Sequence, residues 1–89
     1  MTLINGRCAA LLACAVVFAA APARADARLE ARRHFKAGMA HIKNGAYEDG
    51  IAELLEAYAI KPHANVLYNV ARAFQSAGKP NEAIEYYRR

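Results

Sequence analysis

Residues 64–89 overlay residues 31–56 at an offset of 33, and this internal recurrence restricts the chain more than any other feature. Ala31 meets Ala64, Ala40 meets Ala73, Gly45 meets Gly78 and Ile51 meets Ile84. Size and polarity recur where identity does not: Phe35 meets Tyr68, Gly38 meets Ala71, Asp49 meets Glu82, Gly50 meets Ala83 and Leu54 meets Tyr87. A period of this length marks a supersecondary unit that buries its apolar face by stacking on its neighbours.

Each unit carries two helical patterns. Phe35, Gly38, Met39 and Ile42 fall at helical spacing and predict a helix over about Ala27–Asn44, stopped by Gly45. Ile51, Leu54, Leu55 and Tyr58 predict a second over about Glu48–Ile60, ended by Lys61-Pro62 because the residue before proline avoids helical angles. Unit two repeats the plan. Leu67, Val70, Ala71 and Phe74 mark a helix over about Ala64–Ala77, stopped by Gly78. A last helix follows, with Asn81 as its N-cap, Glu82 at its positive end, and a buried stripe of Ala83, Ile84 and Tyr87. No strand pattern is present, so the fold class is all-α.

Ahead of the repeats lies an apolar leader. Residues 1–25 predict a secretory signal peptide: Arg7 closes a short n-region, Cys8–Ala21 forms an apolar run, Pro22 breaks the helix, and Ala23-Arg24-Ala25 supplies small residues for cleavage before Asp26. The charge-free stretch 8–23 would rise only about 24 Å as a helix, short of a hydrocarbon core about 30 Å thick, which argues against a permanent span. Leu11-Leu12-Ala13-Cys14 loosely resembles a lipidation site, but the apolar run continues past Cys14. Both cysteines lie in the leader, so the segment after Ala25 forms no disulfide although export leads to a compartment that permits them. The expected location is periplasmic or extracellular, with a bacterial envelope as the natural setting.

Charge and composition narrow the function. After Ala25 the chain has ten basic and eight acidic residues, too mild a balance for a nucleic-acid footprint. That segment has one serine (Ser76), no threonine and no cysteine, so a nucleophile with a partner cannot be assembled and no enzyme is expected. His34 and His41 share a helix face but are seven apart, a climb of about 10.5 Å, where zinc pairs sit four apart. Neither metal nor cofactor is expected, and Glu53 and Glu56 read as a solvated face.

The two units resemble the tetratricopeptide repeat (TPR). In unit two the matching stretch is Leu67-Tyr68-Asn69-Val70-Ala71-Arg72-Ala73-Phe74, then Gly78, then Asn81-Glu82-Ala83-Ile84-Glu85-Tyr86-Tyr87. In unit one it runs through Ala37-Gly38, Gly45, Tyr47, Gly50-Ile51, Leu54, Ala57 and Pro62. His34 and His41 depart from the family, which prefers a large hydrophobe and a tyrosine there. The resemblance implies helix–turn–helix units of an α-solenoid, about two of them with the second incomplete. Residues 1–25 form the leader, 26–62 an N-terminal helix extension with the first repeat, and 63–89 the second, truncated repeat. It also implies that the small residues Gly38, Gly50, Ala57, Ala71 and Ala83 sit where helices cross. About three units are normally needed for stability, which predicts further repeats beyond Arg89 or pairing of the open apolar edge with another copy.

By the same resemblance, the first helices of successive units line a concave groove for a peptide or partner helix. The groove positions are Arg32, Phe35, Lys36, Met39 and Lys43 in unit one, and Tyr68, Asn69, Arg72 and Gln75 in unit two. Asn69 matches a position that often bonds ligand backbone. The family variant that clamps a C-terminal carboxylate has lysine and asparagine where this chain has Phe35 and Met39, so that activity is not implied. Aromatic faces beside cations suit a peptide of apolar and acidic character. The function so read is an exported scaffold for protein–protein contact in the cell envelope. The alternatives are a self-associating structural segment, or the accessory region of a longer enzyme.

Overall fold

The computed structural model describes residues 20–89, with side chains from Arg24 onward, so most of the expected leader lies outside the described residues. Four helices follow in order: α1 (Ala20–Lys43), α2 (Tyr47–Ile60), α3 (Ala64–Ser76) and α4 (Pro80–Tyr87). No strand occurs among the described residues. Consecutive helices pack as hairpins, α1 on α2 and α3 on α4, with α2 against α3 joining the two units.

The turn closing the first helix of each unit is the same motif built twice. The Gly45 N–H donates to the Ile42 carbonyl at 3.0 Å, and the Ala46 N–H to the His41 carbonyl at 2.9 Å. Thirty-three residues on, Gly78 donates to Gln75 at 3.1 Å and Lys79 to Phe74 at 2.9 Å. The wrap needs a left-handed residue, and Gly45 (φ 81°) and Gly78 (φ 77°) supply it without a Cβ penalty. Extended backbone at Lys61 (φ −140°) ends α2 before Pro62, as proline sterics require.

Three expectations are corrected. The helix expected from Ala27 already runs from Ala20, through Pro22 and the expected cleavage point. Asn81 is not the N-cap of α4. Lys79 occupies that place without a side-chain cap, and Pro80 starts the helix, its fixed φ suited to the first helical position. Ile84 and Tyr87 are not buried: they are 49% and 46% exposed, and only Ala83 of that stripe lies inside. Their counterparts Ile51 and Leu54 are 7% and 0% exposed because α2 is covered on one side by α1 and on the other by α3.

The core is the cluster Ile51, Leu54, Val66, Val70 and Ala73, with Phe35, Ile42, Leu55, Tyr58, Phe74 and Tyr86 packed against it. α1 reaches α2 through a close crossing. A Cβ on Gly50 would stand 2.5 Å from Ile42 Cγ1 and 2.8 Å from the Gly38 carbonyl oxygen. One on Gly38 would stand 2.9 Å from the Gly50 oxygen. Ala57, Ala71 and Ala83 are likewise buried at 2%, 0% and 3% exposure.

No described helix is long and apolar enough to cross a membrane.

Candidate peptide-binding groove

Arg32, Lys36, Met39 and Lys43 follow one another at spacings of four, three and four, and therefore share a face of α1. Met39 and Ile42 meet Asn69, Arg72, Ala73 and Ser76 of α3 around a cleft of about 150 Å³. Toward the other end of α1, Arg32 and Phe35 line a wider opening of about 490 Å³. Its remaining walls are Arg28 and Ala31 of α1, Ala57 and Lys61 at the end of α2, and His63, Asn65 and Val66 at the start of α3. Residues of α1 and α3 border both openings, and the two together are called the channel. Lys36 and Lys43 are exposed but line neither opening.

Tyr68 and Gln75 turn to α4 instead. The Tyr87 hydroxyl donates to Gln75 Oε1 at 3.1 Å, and the Tyr68 and Tyr87 rings meet edge to face at 5.8 Å. Beside them, Tyr86 stacks on Phe74 at 5.4 Å, with the Arg89 guanidinium 4.6 Å above the Tyr86 ring. Tyr68 remains 51% exposed, so one edge of the ring is held while the rest faces solvent. Asn69 spends a side-chain N–H on its own helix, donating to the Asn65 carbonyl at 2.9 Å.

Two features escaped the sequence reading. His34 Nδ1 donates to Glu53 Oε2 at 2.6 Å, joining α1 to α2 one turn from the glycine crossing, and Glu30 Oε1 lies 3.9 Å from Nε2. The Glu53 hydrogen bond, with the nearby charges of Glu53, Glu30 and Glu56, raises the His34 pKa above its ordinary 6.5. Glu53 is therefore a partner to another helix, not simply part of a solvated face. The two residues are 19 apart, and no local spacing signals such a pair. His63 caps α3: its Nδ1 accepts from the Asn65 N–H at 3.3 Å, a role a loop position just before a helix could have suggested.

The charges are sorted by helix. α1 carries six basic and two acidic side chains, and α2 carries four acidic and no basic ones. The single charge of α3 is Arg72, and α4 holds Glu82 and Glu85. The helices bordering the channel are thus basic and those behind it acidic. Among the described residues, no group of three or more His, Cys, Asp or Glu is placed to hold a metal ion.

Residues 64–89, the α3–α4 hairpin, match the sequence profile of the tetratricopeptide repeat. No curated protein and no solved structure matches the chain. The four-helix, strandless arrangement of the described residues together with this match makes the fold all-α with TPR-like helical repeats, a class of protein–protein interaction module.

Proposed function

We propose that the chain is an exported adaptor that holds a segment of a partner protein in the channel between α1 and α3. The observation that carries this reading is the convergence of Met39 from the first unit with Asn69 and Arg72 from the second around one cleft. Apolar groups there offer buried area, and the polar ones set register along an extended chain. Tyr68, held by Tyr87 on the α3–α4 side, lines neither opening and is left out of this reading. Catalysis forms no part of this reading: Ser76 is the sole serine after Ala25, and TPR repeats are generally non-catalytic.

Panning a displayed random-peptide library against the full-length protein tests the channel. Selected peptides are expected to weaken about tenfold or more against Arg72→Ala and Met39→Ala. If both variants retain every selected peptide at unchanged affinity, the channel reading fails. Export is a separate part of the proposal, supported by the apolar run Cys8–Ala21 followed by Ala23-Arg24-Ala25. Mass spectrometry of the protein from an envelope or secreted fraction is expected to find an N-terminus at Asp26. An intact N-terminus in the cytosolic fraction would refute export.

A second reading is favoured by the exposed Ile84, Tyr87 and Tyr68, which place apolar surface on the α3–α4 edge. Self-association through that edge predicts sedimentation that depends on concentration and is abolished by Ile84→Glu.

A further inference from the structure

We propose that the corner where the N-terminal half of α1 meets the α2–α3 turn is an anion subsite, seating a glutamate or aspartate carboxylate of an acidic peptide beside an apolar residue of the same peptide. The proposal rests on the channel reading above and gives that channel a chemistry and a polarity.

The corner is the opening of about 490 Å³. Arg28 and Arg32, one helical turn apart, stand on its α1 wall, with Lys61 and His63 on the wall made by the α2–α3 turn. Phe35 and Val66 contribute to an apolar floor, and no carboxylate lines the space. Among the described residues none of Arg28, Arg32 and Lys61 pairs with an acid. Glu30 and Glu53 are engaged with His34, and Asp26 and Glu56, the other acids near these cations in sequence, form no ion pair with them among the described residues. α3 also begins here with no acidic residue in its first turn, so its positive end adds to the same field. Three cations that pair with no acid among the described residues, set around an apolar floor, match an amphipathic anion.

The lining selects among anionic partners. The cations stand beside Phe35 and Val66, so a ligand that carries an apolar side chain next to its carboxylate meets both. Single side chains from an extended peptide reach the floor and the rim together.

Nuclear magnetic resonance on the full-length, isotopically labelled protein tests this with two probes, N-acetyl-Leu-Glu-amide and N-acetyl-Leu-Gln-amide. The glutamate probe is expected to shift backbone amides in 28–35 and 61–66 saturably, and to bind about fivefold more tightly than the glutamine probe. The preference should vanish in Arg28→Ala/Lys61→Ala and shrink as salt rises from about 50 to 500 mM. Equal affinity of the two probes, or no shift at the corner at millimolar concentration, overturns the subsite. If panned peptides still depend on Arg72 in that case, the channel reading stands and only the subsite is lost. Phosphatidylglycerol vesicles that shift the same amides while the probes show no preference would replace the peptide with a lipid surface. Self-association abolished by Arg28→Ala/Lys61→Ala, again without probe preference, would replace it with a second copy.

Discussion

Gly50 has no room for a methyl group. An added Cβ would press on the Gly38 carbonyl oxygen at 2.8 Å, and backbone on a packed helix yields less readily than the end of a side chain. Alanine would gain about 1 kcal/mol of helix propensity there. Overpacking of a crossing typically costs about 1–3 kcal/mol, and here both helix axes must separate. Gly50→Ala is therefore expected to lose up to about 2 kcal/mol net, read as a lower urea midpoint at unchanged slope. His34 is the other decisive residue of this hairpin. Its partners are Glu53 across the interface and Glu30 on its own helix, with Glu56 also near, and they raise its pKa above 6.5 in the folded state. A raised histidine pKa stabilises fully below the unfolded value and loses that contribution as pH climbs through the folded value. The melting temperature should thus fall from pH 6 toward pH 8.5, and His34→Gln should flatten that slope. A slope unchanged in the variant would show that the pair does not couple folding to protonation.

At the scale of the helix, equivalent sequence positions meet unequal fates. Leu54 and Tyr87 occupy the same place in the repeat, yet one is fully buried and the other 46% exposed. Ile51 and Ile84 differ in the same way. Leu54→Ala is expected to cost about 2–5 kcal/mol, since the site sits between packed helices and collapses poorly. Ile84→Ala should stay within about 0.5 kcal/mol, as surface changes usually do. Urea denaturation of the pair checks both, and equal losses would contradict the asymmetric burial. Helix positions and the two glycine stops were legible in the residues because periodicity and positive φ are local properties. The N-cap of α4 was not. Asn81 is the better capping residue by chemistry, but Pro80 favours the first helical position and moves the cap to Lys79. The burial of α4 was not legible for a different reason: an apolar stripe states which face prefers cover, not whether a neighbour supplies it.

Across the whole molecule, charge follows the layering. Basic α1 lies against acidic α2, so long-range attraction favours the pairing of this hairpin. Raising sodium chloride from about 20 to 500 mM is expected to lower stability modestly, by up to about 1 kcal/mol, because exposed charges are screened beyond about 10 Å even at 0.1 M salt. A rise in stability over that range would show that attraction between the two helices is not a net contributor. Of the groove residues drawn from the resemblance, Arg32 and Phe35 fall at one opening and Met39, Asn69 and Arg72 at another. Tyr68 and Gln75 instead engage Tyr87. The basic corner brings Arg28 together with Lys61 and His63, more than thirty positions further along the chain, and no spacing within one helix announces it.

The order of residues alone determined the helical class and the two glycine stops, because each follows from contacts within a few turns or from steric limits on the backbone. Only the tertiary structure decided which apolar faces are covered, which acid His34 reaches, and which cations share a hollow. Those outcomes depend on how rigid helices lie against one another, and neighbours along the chain do not encode that separately from the packing itself.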